Sequence, residues 1–140
     1  MECTVSAVGI DYHHGNGTQA RGSATDYPFF WGHETGEGAG KGITLNMPLP
    51  RGTSIPAFRT AQATALDASQ SFDPGLLIVS FGADTWEGDP IAHFKLTTND
   101  YTVLPADITA RGRPAVIVME GGYATDMLGR SVAAFLAGFA

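Results

Sequence analysis

Apolar residues gather in three short runs along this chain, and each run ends in a polar, glycine-rich turn. The runs are Val5–Ile10, Leu76–Phe81 and residues 114–119. Continuous apolar runs of this length, bounded by turn residues, predict central strands of a parallel sheet. Between and after them the apolar positions take helical spacing. One helix is predicted from Thr53 or Ser54 as cap to about Phe72, with Pro56 in its first turn. Ile55, Phe58, Ala65, Leu66 and Phe72 give it an apolar side, and Asp73-Pro74-Gly75 stops it. A second helix is predicted over residues 98–111, capped by Thr98 or Asn99 and kinked or broken by Pro105. The last, residues 125–139, turns Met127, Leu128, Val132, Phe135 and Leu136 toward the sheet. Residues 43–49 read as a further short strand ending at Pro50.

Strands alternating with helices predict an α/β fold, a parallel sheet with helices on both faces. Right-handed connections bring the loops after the three strong strands to one edge. Ligands bind at that edge in open α/β sheets. A chain of 140 residues is one domain at most, spanning 1–140, and large enough for a real core.

The chemistry of the three loops is therefore informative. The first strand delivers Asp11, Tyr12, His13 and His14, followed by Gly15 and Gly17. Alternation along an extended chain gives Asp11 and His13 one face, and Tyr12 and His14 the other. A carboxylate and an imidazole on one face suit a borderline metal such as zinc. From this stretch alone, a hydrogen-bonded Asp–His pair at a strand end is the plainer reading. The second strand adds Asp84, which in isolation reads as a surface-turn acid. The third ends at Glu120-Gly121-Gly122-Tyr123. Two carboxylates and one imidazole would complete a three-ligand zinc site with an open fourth position. Tyr123, after two glycines, could swing toward that position and donate its hydroxyl proton.

Composition narrows the partners. Net charge is −6 with eight Lys and Arg residues scattered along the chain, which argues against nucleic acid or an anionic membrane. It weakly favours a basic ligand such as an amine. The single cysteine, Cys3, excludes an internal disulfide and a thiolate metal cluster. With no signal-like or membrane-spanning run, a cytoplasmic location is the default expectation. Glycines 36, 38, 40 and 42 imitate a phosphate-binding loop, but neither an opening helix nor a Lys-Ser/Thr pair follows. A flexible loop is the better reading there. The aromatic cluster Phe29-Phe30-Trp31 is either core or the wall of an apolar pocket.

Three motifs taken together resemble a known family: Asp11-Tyr12-His13-His14-Gly15-Asn16-Gly17-Thr18, the run Gly82-Ala83-Asp84-Thr85 with Gly88-Asp89-Pro90, and Glu120-Gly121-Gly122-Tyr123. In order and approximate spacing they resemble the zinc-dependent histone deacetylase and acetylpolyamine amidohydrolase family, of arginase-like fold. The run from Phe94 to Tyr101 and residues 27–42 look closer to the bacterial amidohydrolase branch. The resemblance covers nearly the whole chain but only the C-terminal part of the family's catalytic domain. It implies that Asp11, His13 and Asp84 ligate Zn2+. It implies that Tyr123 hydrogen-bonds the substrate carbonyl oxygen as an oxyanion develops. Phe30 would line the acyl-amine tunnel, and Gly121 and Gly122 would shape the turn below Tyr123. The implied reaction is hydrolysis of an acetylated amine, acetyl-lysine or acetylpolyamine, to acetate and free amine.

The resemblance also exposes departures. The family's paired histidines, general base and acid, lie upstream of the part represented here. Gly9 stands where relatives carry an aspartate that orients one of them. Residues 19–26 are shortened, removing part of a structural K+ site. Pro105 interrupts a helix that relatives keep whole. An alternative is therefore a catalytically inactive, truncated relative that binds zinc or an acylamine. A bare parallel sheet also needs neighbours, so a homo-oligomer or a complementing chain is expected.

Overall fold

The structure, a computed structural model, describes residues 4–13, 35, 36, 38 and 41–140. The chain divides into two compact units, Met1–Tyr12 with Arg51–Ala140, and His13–Pro50.

The first unit is built on three parallel strands in the order β1 (Val5–Ile10), β2 (Leu76–Phe81) and β3 (Ala115–Met119). All three fall on the predicted apolar runs. The register pairs Ile10 with Phe81, and Phe81 with Met119. Three strands in step end together, so the residues that follow them emerge along one edge. Val8, Ile10, Leu77, Val79 and Phe81 are buried on one sheet face. On the other face Val5, Val116 and Val118 are exposed.

Helix α1 (Ile55–Ser71) begins after Ser54 with Pro56 in its first turn, as the sequence predicts. It buries Phe58 and Leu66, with Ala61, Gln62 and Ser69. Phe72 lies beyond the helix and is exposed. Asp73 ends the segment with φ 53°, a left-handed conformation that a short polar side chain tolerates. The predicted helix over 98–111 is two elements. A 3₁₀ turn covers Thr98–Thr102 and a short helix α2 covers Leu104–Thr109, with Pro105 in its first turn. The proline starts a helix because its missing N–H costs nothing there. The cap is Thr97, whose N–H and hydroxyl both donate to Asp100 Oδ2, at 2.7 and 2.9 Å. Helix α3 (Thr125–Ala137) buries Ser131 and Phe135. The Phe135 ring stacks on Phe81 at 3.9 Å with 6° between planes. Leu136, predicted to face the sheet, is exposed. No helix of the described residues is long and apolar enough to cross a membrane.

In the second unit the described residues include a turn at Lys41-Gly42. Gly36, Gly38 and Gly42 all take positive φ, at 98°, 55° and 87°. The Gly42 N–H closes on the Thr35 carbonyl at 2.6 Å. The strand predicted over 43–49 does not form: these residues have no regular structure, and Ile43 and Leu45 are exposed. Pro48, the sixth of these seven residues, removes a ladder donor, which a central strand does not tolerate.

Candidate metal centre

The strand register determines what meets at the sheet edge. Asp11 follows Ile10 directly, Gly82 follows Phe81, and Glu120 follows Met119. The loops are then tied across the edge by backbone bonds. Gly82 N–H donates to the Ile10 carbonyl at 2.5 Å, Ala83 N–H to Gly121 at 2.8 Å, and Glu120 N–H to Phe81 at 2.8 Å.

After Gly82 the chain makes a single 3₁₀ turn, Ala83–Thr85. This turn is entirely buried, and Asp84 has no exposed surface. Its Oδ1 accepts the Tyr12 N–H at 3.0 Å. Tyr101 holds the turn from beneath, also with no exposed surface. The Tyr101 hydroxyl lies 2.8 Å from Thr85 Oγ1 and donates to the Ala83 carbonyl at 3.1 Å. Burial pushes the Tyr101 hydroxyl far above the ordinary tyrosine range; Thr85's hydrogen bond opposes this, while the charges of Asp84, Asp89 and Asp100 add to it. A neutral phenol thus supports the buried Asp84 turn.

Asp11, His13 and Asp84 each offer one ligand atom, and the three atoms lie within 4.8 Å of one another. Asp11 and His13 are half-buried. Asp11 Oδ2 is approached by the Gly121 N–H at 3.4 Å. Both neighbouring glycines are required by this crowding. A Cβ on Gly82 would overlap the Asp11 carboxylate and come within 2.8 Å of Asp84 Oδ1. A Cβ on Gly121 would overlap the Asp84 carboxylate and come within 2.9 Å of Asp11 Oδ2. Two carboxylates and an imidazole fit a divalent ion of zinc's character. Two acidic side chains brought this close repel one another unless a cation or proton offsets the charge.

Tyr123 stands at the third strand end. Gly122, before it, takes φ 138°, which only glycine adopts readily. A Cβ there would also meet Leu128 Cδ1 at 2.7 Å and Ala83 Cβ at 3.1 Å. The Tyr123 N–H donates to Asp89 Oδ2 at 2.8 Å, and its carbonyl accepts from Thr125 N–H at 3.1 Å. Its side chain is 48% exposed. The hydroxyl's pKa is raised, by partial burial first and then by the charges of Asp84, Asp11 and Asp89. The phenol therefore stays protonated at neutral pH, in the field of two of the three candidate ligands.

The sequence-predicted residues Asp11, His13, Asp84, Gly121, Gly122 and Tyr123 thus belong to neighbouring loops. Phe30 and His14 lie outside the described residues. Sequence reasoning missed two contributors. Asp89 entered only within the Gly88-Asp89-Pro90 part of the family resemblance, with no role attached to it. Tyr101 entered only as the end of the run from Phe94 in the family resemblance, with no role attached to it.

The chain is similar to known proteins along nearly its whole length. A family model, the histone deacetylase domain, matches residues 2–139. The chain is 40% identical to the acetylpolyamine amidohydrolase of Mycoplana ramosa over 152 residues, covering 97% of this chain and 45% of that protein. It is 35% identical to acetylpolyamine amidohydrolase 1 of Pseudomonas aeruginosa, covering 96% of this chain and 44% of that protein. The crystal structure of acetylpolyamine aminohydrolase from Burkholderia pseudomallei superposes with a TM-score of 0.90 at 32% identity, over 98% of this chain and 45% of that one. The chain therefore spans less than half the length of the curated relatives it matches.

Proposed function

Because the chain belongs to the histone deacetylase family, we propose that it carries the zinc-ligand and oxyanion-donor part of a deacetylase, acting on an acetylated amine. The observation that carries the reading is the approach of Asp11, His13 and Asp84 ligand atoms to within 4.8 Å, with Tyr123 on the adjoining loop. Asp11, His13 and Asp84 would hold the ion. When bound, zinc supplies a Lewis acid for the amide carbonyl.

The chain's own residues do the rest. Tyr123 donates its hydroxyl hydrogen bond to the carbonyl oxygen as negative charge develops there. A phenol holds that proton at neutral pH. Gly121 leaves room for the Asp84 and Asp11 carboxylates and Gly122 shapes the turn below Tyr123, and Phe30 is assigned to the acyl-amine tunnel. In the net reaction water adds to the acyl carbon, the C–N bond breaks, and the departing amine takes a proton. Acetate and a free amine result. The net charge of −6 favours an amine or polyamine over an acidic substrate.

A second reading has one observation in its favour. Gly9 stands where the family resemblance places an aspartate that orients a base histidine. On that reading the chain binds zinc or an acylamine without turnover. The deciding experiment measures zinc per chain by elemental analysis, then acetate release from N-acetylputrescine and from an acetyl-lysine peptide. One zinc per chain with acetate release supports the deacetylase. Zinc without acetate leaves the binding module. No zinc removes the deacetylase and the zinc-binding module.

A further inference from the structure

Asp89 lies on the loop after β2, is 7% exposed, and uses its two carboxylate oxygens for two different tasks. Oδ1 accepts the Ile91 N–H at 3.0 Å, a local turn two residues long. Oδ2 accepts the Tyr123 N–H at 2.8 Å, across 34 residues of sequence. The local bond needs only one oxygen, which asparagine would supply as well. The long-range bond is what calls for a carboxylate, because the second oxygen must also accept.

We propose that Asp89 is the positioning residue for Tyr123, fixing the tyrosine's backbone so that its hydroxyl stands at the candidate metal centre. This rests on the deacetylase reading only for the importance of Tyr123. The loop 120–124 has no regular secondary structure and enters Tyr123 through Gly122 at φ 138°. Such a turn does not by itself hold the next residue. The Tyr123 N–H is instead held by a buried charge, and charge-assisted bonds are the stronger kind. The Tyr123 carbonyl is held by Thr125 N–H at 3.1 Å. With both peptide groups held, only χ1 and χ2 remain to set where the phenol points. A side chain 48% exposed is restrained by packing less than a buried ring would be. Asp89 thus acts through the backbone and touches neither substrate nor ion.

The test uses the full chain, ¹⁵N-labelled, with Asp89→Asn, Tyr123→Phe and the double variant. In the native protein the Tyr123 amide should exchange slowly; rapid native exchange overturns the proposal without any variant. In Asp89→Asn one face of the side chain becomes an NH2 donor. Tyr123 amide exchange should then accelerate about tenfold or more, with the strand amides of β1–β3 unchanged and zinc per chain unchanged. Uniform acceleration across the strands would show a general structural role and overturn it. If the native chain releases acetate, Asp89→Asn should lower kcat with KM within about twofold, and should cost nothing further in Tyr123→Phe. An additive loss in the double variant overturns the proposal. Selective loosening of Tyr123 in a chain that releases no acetate upholds the anchor and removes the deacetylase reading instead.

Discussion

The backbone N–H of Tyr12 donates to Oδ1 of Asp84 at 3.0 Å, joining the end of β1 to the loop after β2. That bond uses one carboxylate oxygen and leaves the charge in place. Asp84→Asn can keep an acceptor for Tyr12 while removing the charge. The variant should fold, with a melting temperature near or above that of the metal-free native chain, because a close like-charge pair is relieved. Zinc per chain should fall from one to below a tenth. Retention of zinc in Asp84→Asn would remove Asp84 from the ligand set.

Gly82→Ala and Gly121→Ala test the crowding around the carboxylates. Either Cβ would overlap an aspartate side chain, and the neighbour is a short side chain on a tied loop, not the end of a flexible one. Each substitution should cost about 1–3 kcal/mol by denaturant unfolding and should disrupt ion binding. Gly129→Ala is the control. Its Cβ meets nothing within 4 Å, and alanine suits a helix interior better by about 1 kcal/mol.

Tyr101→Phe removes the hydroxyl beneath the Asp84 turn. Thr85 Oγ1 is then left with the Gly82 carbonyl at 3.5 Å, a poor partner. The expected loss is about 1–3 kcal/mol, measured by urea unfolding at pH 7. The pH dependence follows from the raised Tyr101 pKa. Stability linked to it is complete below the ordinary tyrosine value of about 10, and falls as pH rises above that value. The unfolded tyrosine ionises there and the folded one does not. The native chain should lose up to about 1.4 kcal/mol per pH unit from this group. Tyr101→Phe should show a shallower alkaline slope. Tyr123, raised in the same direction, leaves part of the slope in place.

Tyr123→Phe removes the proposed oxyanion donor. Its side chain is 48% exposed, so stability at pH 7 should shift by no more than about 0.5 kcal/mol. Zinc content should be unchanged. Acetate release, where the native chain supports it, should drop by about 100- to 1,000-fold. Unchanged turnover would remove Tyr123 from the mechanism.

Phe135→Ala tests what seats α3 against the sheet. Phe135 has no exposed surface and stacks on Phe81. Truncating a buried phenylalanine costs about 3–5 kcal/mol, a large part of the stability of a chain this size. The expected result by circular dichroism is a fall in melting temperature of more than about 10 °C or loss of the cooperative transition.

Three strands, the first helix and the final helix were legible in the sequence because their signals are local. Continuous apolar runs, a Ser-x-Pro start and an Asp-Pro-Gly stop need no partner to be read. The candidates Asp11, His13, Asp84 and Tyr123 were singled out for the same reason, since each lies within four residues of a strand end. The failures were those that depend on a partner. Residues 43–49 have the composition of a strand, but Pro48 removes a ladder donor and they are irregular. Leu136 has the spacing of the sheet-facing side yet is exposed, because Ser131 and Phe135 are the residues of α3 that are buried. The in-step register, ending at Ile10, Phe81 and Met119, was decided by the tertiary structure. So was the demand for glycine at 82 and 121, which comes from carboxylates on other loops. Asp89 reaches Tyr123 across 34 residues, and Tyr101 reaches Ala83 across 18. No spacing rule finds such pairs, because only the folded sheet brings their loops to one edge.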